Sequence, residues 1–204
     1  MIGIINYGSG NLAAISNIYK TLRIDHAIVE NPHAIAGADR YILPGVGHFD
    51  YAMQTITKST FFDTLQEHVL VKRKPILGIC VGMQVLADSS EEGVCAGLGW
   101  IPGRVRRIQA KARGVRLPHM GWNSIQITRD DPGLLKGVDE SVGFYFLHSY
   151  YFDSLSTANV LATTEYGGEL VCGVSNNGNM FGLQFHPEKS HRNGVTVFKN
   201  FAFI

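Results

Sequence analysis

The chain has 204 residues, a formal net charge of +1 and 45% hydrophobic residues. The near-zero charge gives no global basic field, so we expect no nucleic-acid partner. Its apolar runs are only strand-length, which predicts no membrane span, and the N-terminus enters a strand without a basic secretory leader. Three sparse cysteines without metal-ligand spacing predict reduced thiols, a cytoplasmic location and no bound metal or cofactor.

The first half of the chain alternates strand-like and helix-like segments. The strand candidates are the apolar or β-branched runs MIGIIN, HAIVE, RYILPG and PILGIC. Between them, NLAAISNIYKTL and most of FDYAMQTITKSTFFDTLQEHVL carry apolar residues at helical spacing. This alternation predicts βαβ units and a parallel sheet covered on both faces.

The second half is richer in strand. Its candidates are SIQIT, GFYFLHSYYFD, VLATTEY, LVCGVSN and MFGLQF, and the chain closes with a short helix, GVTVFKNFAF. No repeat, low-complexity tract or linker interrupts the pattern. We therefore predict a single α/β domain over residues 1–204, built on one mixed sheet.

A glycine loop follows the first strand. Gly8-Ser9-Gly10 precedes a helix, and Glu30 ends the next strand about twenty residues later, which is the order of a dinucleotide-binding fingerprint. A single match of this kind is a weak signal, and it gives no role to the motifs that follow. Dinucleotide binding is therefore an alternative rather than the main hypothesis.

A second glycine loop, Pro44-Gly45-Val46-Gly47, ends the third strand candidate. Glycine-rich backbone at the carboxyl end of a parallel strand can approach a ligand closely and donate N–H groups to it. The same segment is also compatible with an ordinary turn between a strand and a helix.

Cys80 lies between Gly78 and Gly82, where an apolar strand gives way to a helical pattern over the next ten residues. This position predicts a nucleophile elbow, because the glycines permit a sharp turn and a helix N-terminus favours a thiolate. The Val81 N–H would be an oxyanion donor, and Gln84, at i+4, would face the same side as Cys80. The alternative is a cysteine packed at the end of a core strand.

His186 and Glu188 end a late strand and flank a proline. Two residues apart in extended backbone, their side chains point to one face, as a general base and its orienting carboxylate require. Alone, such a pair is usually a solvated surface feature. Beside Cys80 it predicts a catalytic base, because a cysteine nucleophile needs a histidine from elsewhere in the chain.

A basic stretch separates these motifs. The stretch contains no acidic residue, and its basic residues are Arg104, Arg106, Arg107, Lys111, Arg113 and Arg116. A solvated hairpin accounts for such a stretch, and contact with an acidic partner surface is the alternative.

Taken together, LPGVG, GICVGMQ and FHPEKS resemble the motifs of class I glutamine amidotransferases. The stretches NYGSGNL, LPHMGWNSI and FYFLHSYYF are further similar to the glutaminase subunits of imidazole glycerol phosphate synthases. The resemblance covers essentially the whole chain. It implies that family's three-layer α/β fold, with a central mixed, mostly parallel sheet and helices on both faces, and hydrolysis of L-glutamine to glutamate and ammonia.

The resemblance also implies the roles of individual residues. The catalytic triad would be Cys80, His186 and Glu188. The oxyanion would be held by Val81, Val46 and Gly47, the loop donor being supplied when its peptide reorients. Glutamine would be bound by Gly45, Gly47, Gln84, Ser149 and Tyr150.

The implied partner is a (β/α)8 cyclase subunit that uses the ammonia in histidine biosynthesis and forms a heterodimer with this chain. The interface would include Asn11, Trp122, Tyr145 and Lys189. Two other functions stay open. The segment SHRNGVTVFKNF and the basic stretch also resemble a paralogous glutaminase subunit that supplies an enzyme modifying surface sugars. A cysteine hydrolase acting on peptides or small amides would use the same elbow.

Overall fold

The structure, a computed structural model, describes residues 1–129 and 133–204. Its strands form one large and two small sheets. The strands are β1 (Ile2–Ile5), β2 (His26–Val29), β3 (Arg40–Gly45), β4 (Ile76–Cys80), β5 (Ser89–Ser90), β6 (Gly103–Arg107), β7 (His119–Asn123), β8 (Gln126–Ile127), β9 (Phe144–His148), β10 (Tyr150–Ser154), β11 (Val160–Glu165), β12 (Glu169–Ser175) and β13 (Met180–Leu183).

The large sheet has eight strands in the order β2-β1-β3-β4-β13-β12-β11-β8. The pairings from β2 across to β13 are parallel, and those from β13 across to β8 are antiparallel. This confirms the mixed, mostly parallel sheet. The last strand, β13, returns to lie beside β4, so the histidine motif that follows it is brought next to the cysteine motif that ends β4.

Helices lie on both sides of this sheet, as predicted. They are α1 (Leu12–Leu22), α2 (Pro32–Gly37), α3 (Phe49–Lys58), α4 (Phe62–Gln66), α5 (Val81–Gln84), α6 (Ala110–Arg113) and α7 (His191–Phe201), with a π turn at Glu67–Val71 and 3₁₀ turns at Thr157–Asn159 and Pro187–Lys189. Helix α1 packs on α7, where the rings of Tyr19 and Phe198 meet edge to face at 5.5 Å. None of the helices in the two described ranges is long and apolar enough to cross a membrane.

Two small sheets that were not predicted stand beside the large one. One contains β10, β6 and β5, and the other contains β7 and β9. The segment predicted as one strand divides at Ser149 into β9 and β10, which pair with different partners. The basic stretch is not a hairpin either, since β6 pairs with β10 whereas β7 pairs with β9.

Candidate active site

Three neighbouring parallel strands end at the same edge of the large sheet. Gly45 at the end of β3 lies opposite Cys80 at the end of β4, and Leu183 at the end of β13 lies opposite Ile79. Parallel strands bring their carboxyl ends to one edge, which is where open α/β sheets bind ligands. The glycine loop, the cysteine motif and the histidine motif are therefore neighbours in space although they are far apart in the chain.

Cys80 occupies a strained corner between β4 and α5. Its φ of 56° and ψ of −112° form a conformation that residues with a side chain rarely adopt. The flanking glycines allow close backbone contact. A Cβ on Gly82 would overlap the carbonyl oxygen of Leu43, and a Cβ on Gly78 would overlap the carbonyl oxygen of Gly82. The corner has the geometry expected of a nucleophile elbow.

The helix after Cys80 is much shorter than the ten residues predicted, because α5 spans only Val81–Gln84. Residues 85–87 are buried, and their carbonyl oxygens accept N–H groups from a covering loop at 98–101. The apolar spacing that indicates a helix here instead reflects burial beneath this loop. A single turn provides only a weak helix dipole, so the charge of the site depends mainly on His186 and its neighbours.

His186 and Glu188 form a buried pair next to Cys80. The imidazole Nδ1 lies 2.8 Å from Glu188 Oε1, and both side chains are almost fully buried. A 3₁₀ turn over Pro187–Lys189 makes this contact, rather than the extended backbone predicted, and the His186 N–H donates to the Tyr145 carbonyl at 2.9 Å. Because the carboxylate occupies Nδ1, Nε2 is the nitrogen left to face the thiol.

The neighbours of His186 favour its charged form. Burial by itself lowers the pKa of an imidazole, but the hydrogen bonds and charges of Cys80 and Glu188 outweigh burial and raise the pKa of His186 to about 10. The ring therefore holds a proton at neutral pH, between a sulfur and a carboxylate. A protonated imidazole beside a cysteine is the arrangement that favours a nucleophilic thiolate.

Two glutamine side chains border the sulfur. Gln184 Nε2 lies 3.8 Å from Cys80 Sγ, and Gln184 Oε1 accepts a hydrogen bond from Gln84 Nε2 at 2.9 Å. Gln84 Nε2 also donates to the Tyr150 carbonyl at 3.2 Å. Gln84 thus lies on the side of Cys80 that the i+4 spacing predicts. Gln184 was not predicted, because a glutamine within a strand-like run carries no motif of its own.

A cavity of about 140 Å³ opens in front of Cys80. Its lining consists of Val46, Gly47, Cys80, Val81, Gln84, Glu92, Leu147, His148, Tyr150 and His186. Most of these residues belong to the site predicted from the sequence. Among the described residues, no group of three or more His, Cys, Asp or Glu side chains is placed to hold a metal ion.

Three predicted site residues lie outside this lining. Gly45 is buried beneath the elbow, where an added Cβ would come within 2.6 Å of the Gly82 N atom. The Ser149 carbonyl accepts the Ile108 N–H at 3.0 Å and so holds the corner between β9 and β10. Glu188 reaches the cavity only through His186.

Three lining residues were missed as site residues in the sequence: Glu92, Leu147 and His148. Glu92 follows β5, and its Oε2 accepts the Phe49 N–H at 2.9 Å, which fixes the carboxylate at the start of α3. No sequence pattern marks Glu92, because its place depends on how the loop after β5 packs against α3. His148 ends β9 within a stretch that resembles the family, but no sequence pattern marked His148 itself as a site residue.

A directional chain of hydrogen bonds runs behind His148. Its Nδ1 lies 2.8 Å from the Tyr150 carbonyl, its Nε2 lies 2.9 Å from His119 Nδ1, and His119 Nε2 lies 3.2 Å from Asn123 Nδ2. The carbonyl can only accept and the amide nitrogen can only donate, so each ring holds one proton. Burial lowers the pKa of His148 to about 3 and that of His119 to about 4. His148 therefore stays neutral while His186 is protonated.

The oxyanion donors predicted from the sequence are in different states. Val81 begins α5, where backbone N–H groups have no intrahelical partner, and it lines the cavity. The Val46 N–H instead donates to Ser9 Oγ at 3.0 Å, and the Ser9 hydroxyl donates to the Val46 carbonyl at 2.8 Å. In this conformation the Val46 N–H is directed at Ser9 and is not offered to the cavity.

The same contacts argue against dinucleotide binding. Ser9 bonds the neighbouring Val46 loop, and a Cβ on Gly10 would lie 2.6 Å from Pro44 Cβ. Glu30 accepts a hydrogen bond from Asn6 Nδ2 at 2.9 Å. The Ser9 hydroxyl and the Glu30 carboxylate therefore already have partners within the chain.

The residues predicted to contact a partner cluster around β7 and β9. Trp122 lies opposite Tyr145 in the strand pair and stacks on His191 with the ring centroids 5.3 Å apart. Lys189 Nζ lies 5.4 Å from the centroid of the Tyr145 ring. Asn11 caps α1, which contacts the turn that carries Lys189.

The same surface is apolar and borders the cavity. Met120, Trp122 and Leu147 are exposed, and Met120 lies opposite Leu147 in the strand pair. Leu147 also lines the cavity. An exposed apolar patch of this kind indicates a protein contact.

The basic stretch is partly neutralised within the chain. Arg106 forms ion pairs with Glu91 at 3.5 Å and with Asp153 at 3.3 Å. The side chain of Arg113 lies outside the described part of the structure.

Comparison with known families identifies the class of protein that this fold and site define. The family model for "Glutamine amidotransferase class-I" matches residues 4–204. The chain therefore belongs to the class I glutamine amidotransferase family. Its fold is similar to that of a solved glutamine amidotransferase, with a TM-score of 0.71 over 100% of this chain and 99% of the other, at 20% identity. A glutamine amidotransferase from Thermotoga maritima matches 94% of this chain and 77% of its own, with a TM-score of 0.65 at 18% identity.

Closer relatives carry one particular name. The chain is 46% identical to the imidazole glycerol phosphate synthase subunit HisH of Leptospira borgpetersenii, and 47% identical to the subunit of the same name from Bdellovibrio bacteriovorus. Each alignment runs over 206 residues and covers 100% of both chains.

Proposed function

We propose that residues 1–204 form a single glutamine amidotransferase domain that acts as the glutaminase subunit of an imidazole glycerol phosphate synthase. It hydrolyses L-glutamine to glutamate and ammonia and delivers the ammonia to a cyclase subunit. The meeting of Cys80, His186 and Glu188 beside one small cavity carries this proposal. Relatives that match the full length and carry the name of that subunit support it.

The cavity suits free glutamine. Its volume of about 140 Å³ accommodates one amino acid rather than a peptide, which favours a glutaminase over a peptide hydrolase. The carboxylate of Glu92 supplies a partner for the substrate's α-ammonium group. Gln84, Tyr150 and the Gly47 backbone line the remaining wall and are placed to bind the other polar groups.

In the first half-reaction, the thiolate of Cys80 attacks the side-chain amide carbon of glutamine and forms a C–S bond. The electron pair of the carbonyl moves to its oxygen, where the Val81 N–H and a donor from the Val46–Gly47 segment stabilise it. His186 gives its Nε2 proton to the amide nitrogen, the C–N bond breaks, and ammonia leaves. A glutamyl thioester remains on Cys80.

In the second half-reaction, the now neutral His186 accepts a proton from water as the water oxygen attacks the thioester carbon. The C–S bond breaks, glutamate leaves, and the thiolate and the protonated imidazole are restored. Glu188 stabilises the positive ring before and after the cycle because its carboxylate contacts Nδ1.

The proposed partner is a (β/α)8 cyclase subunit that docks on the surface around β7 and β9 as a heterodimer. Ammonia must reach it without mixing with water, because ammonium is not a nucleophile, and Leu147 lies both in the cavity and on this apolar surface. In the partner, ammonia attacks a nucleotide-derived substrate and yields imidazole glycerol phosphate and aminoimidazole carboxamide ribotide. A cytoplasmic location suits this biosynthetic role and the free thiol of Cys80.

The paralogous role of supplying a sugar-modifying enzyme rests only on the resemblance of the segment SHRNGVTVFKNF and of the basic stretch. The relatives described above carry the name of the synthase subunit. Isolation of the complex from native extract identifies the partner directly, and recovery of a sugar-modifying enzyme in place of a cyclase would overturn this assignment.

The glutaminase is tested by Cys80→Ala in the complex with the cyclase. We expect glutamine-dependent formation of imidazole glycerol phosphate to fall by about a thousandfold or more, while synthesis from added ammonium salts continues. Cys95→Ala, which removes a thiol outside the cavity, is the matched control and should keep both activities. An electrophilic glutamine analogue should label Cys80 alone, and a label found mainly on Cys95 or Cys172 would refute the assignment.

A further inference from the structure

Two side chains that follow β13 reach the sulfur of Cys80. Leu183 pairs with Ile79 in the neighbouring strand, so the next residues along, Gln184 and Cys80, lie side by side. Gln184 and His186 are two residues apart, and both are almost completely buried. His186 carries the proton in the proposed mechanism, whereas Gln184 has no role in it.

The hydrogen bonds between Gln84 and Gln184 fix which end of each amide faces the sulfur. The Tyr150 carbonyl can only accept, so the Gln84 atom 3.2 Å from it must be Nε2. The same Gln84 Nε2 lies 2.9 Å from the amide of Gln184, whose nearer atom must then be the acceptor Oε1. The other end of the Gln184 amide, Nε2, therefore faces Cys80 Sγ at 3.8 Å.

The groups that set this order are themselves held in place. The Tyr150 carbonyl accepts a second hydrogen bond at 2.8 Å from His148 Nδ1, and the same ring is bonded through Nε2 to His119. The main-chain N–H of Gln184 donates to the Cys172 carbonyl at 2.9 Å. The donor beside the sulfur is thus fixed through both its backbone and its side chain, which makes it a preorganised group.

A donor at this position favours the charged form of the sulfur. Cys80 is only 5% exposed, so N–H groups must replace the water that would otherwise solvate its thiolate. The sulfur also lies 4.0 Å from the Leu147 carbonyl, which can accept the proton of a thiol but repels a thiolate. The Gln184 N–H has the opposite preference, because hydrogen bonds to an ionised acceptor are stronger than those to a neutral one.

Several titratable groups also surround this sulfur. The groups that line its cavity, pair with the imidazole or interact electrostatically with the sulfur are His148, His186, Glu92, Glu188 and Tyr7. Gln184 differs from all of them because its amide does not titrate. Loss of its N–H therefore changes the stabilisation of the sulfur without removing an ionising group.

We propose that Gln184 is a catalytic residue whose side-chain N–H stabilises the Cys80 sulfur whenever that sulfur carries negative charge. This inference rests on the proposed glutaminase function. The charge is present before the thiolate attacks glutamine, and it develops again when the C–S bond of the thioester breaks. Gln184 keeps both of its amide protons throughout, so His186 remains the proton carrier.

The central test is Gln184→Met in the full chain, which keeps the length of the side chain but removes the N–H. Alkylation of Cys80 by iodoacetamide is followed against pH, with the modified residue mapped by mass spectrometry. We expect the pH of half-maximal alkylation to rise by about one to two units, the shift that corresponds to one hydrogen bond to a charged group. In the complex with the cyclase, kcat for glutamine hydrolysis should fall about 10- to 100-fold and KM should change little.

Gln54→Met is the matched control, because Gln54 Nε2 also lies 3.8 Å from a sulfur, that of Cys95, but on an exposed side chain. It should leave kcat and the alkylation profile of Cys80 unchanged. If Gln184 only supports Gln84, Gln184→Met would change KM alone and leave the alkylation profile in place, and that result would overturn the proposal. If the wild-type complex does not hydrolyse glutamine, the proposed function fails, while the alkylation profile still tests Gln184.

A second measurement uses the wild-type chain and does not depend on a variant that folds. One of the two side-chain N–H protons of Gln184 should shift downfield in NMR spectra as the Cys80 sulfur becomes charged. It should move back when iodoacetamide has converted the sulfur to a neutral thioether, and the other proton should move much less. Equal shifts of both protons, or no shift of either, would overturn the proposal.

Discussion

His186 has two neighbours with different effects on the reaction. Its Nδ1 contacts Glu188 Oε1 at 2.8 Å, and its other nitrogen is left for Cys80. Glu188 Oε2 has no hydrogen-bond partner within the described residues, so the carboxylate acts through one oxygen and through its charge. Loss of the ring removes the proton carrier, whereas loss of the charge only weakens the support for the protonated ring.

We therefore expect His186→Ala to lower kcat of the complex by about 10²–10⁴-fold. Glu188→Gln keeps an acceptor for Nδ1–H but removes the negative charge, which lowers the pKa of His186 and reduces the rate about 10- to 100-fold. The measurement is kcat for glutamine hydrolysis as a function of pH. A larger loss from Glu188→Gln than from His186→Ala would show that the roles are assigned wrongly.

Among the secondary-structure elements, the junction of β4 and α5 places the sulfur. The strained backbone of Cys80 is held because β3 and α5 approach so closely that no side chain fits at Gly82. The one-turn length of α5 follows from the loop at 98–101, which takes the hydrogen bonds that a longer helix would have formed. The elbow is thus maintained by strand packing and not by a long helix.

Gly82→Ala tests this packing, since its Cβ would overlap the Leu43 carbonyl oxygen and force β3 and α5 apart. We expect the free energy of unfolding to fall by about 1–3 kcal/mol and alkylation of Cys80 by the glutamine analogue to slow strongly. Gly37→Ala at the end of α2 is the matched control, because its Cβ would touch only the tip of Met1 at 4.0 Å. Unfolding measured in urea compares the two, and equal stability would contradict the tight approach.

In the whole molecule, the β7–β9 sheet connects the apolar surface to the cavity. Its outer face carries Met120, Trp122 and Leu147, and its inner face carries the buried His119 and His148. His148 lines the cavity and His119 bonds to it from behind, and both rings must stay neutral because protonation of either would place a charge in a buried, hydrogen-bonded chain. This arrangement makes the stability of the fold depend on pH.

The direction of this dependence follows from the two lowered pKa values. His119 and His148 have pKa values of about 4 and about 3 in the folded chain, below the ordinary value of 6.5. Between each lowered pKa and pH 6.5, the unfolded chain therefore binds more protons than the folded chain. The contribution of the two neutral rings to the free energy of unfolding is complete above pH 6.5. It is lost as the pH falls from 6.5 toward the pKa of each ring. The slope is at most about 1.4 kcal/mol per pH unit for each ring. His186 affects stability in a different pH range. Its pKa is raised to about 10, so the stabilisation from its protonated ring is lost only as the pH rises from 6.5 to about 10.

We expect the free energy of unfolding, measured by urea denaturation, to decline between pH 6.5 and pH 4. His119→Gln should make this decline shallower, whatever its effect on stability at neutral pH. His33→Gln on the exposed surface of α2 is the control and should keep the wild-type slope. An unchanged slope in His119→Gln would show that the buried pair does not govern acid sensitivity.

The amino-acid sequence by itself determined the parts that depend on local backbone. Alternating strand and helix patterns predicted the parallel half of the sheet, and the glycines around Cys80 predicted a sharp corner. The pair His186 and Glu188 was found because its two members lie only two residues apart. Such features depend on a few neighbouring residues, whose conformational preferences are visible in sequence.

Only the tertiary structure decided features that join distant segments. The stretch from Phe144 to Ser154 divides between two sheets because its halves find different pairing partners, and α5 stops after one turn because a later loop covers it. Glu92 enters the cavity through packing against α3, and Ser9 meets Val46 across two loops. Contacts of this kind leave no periodic trace in either segment, because their energy arises only when the chain brings the two segments together.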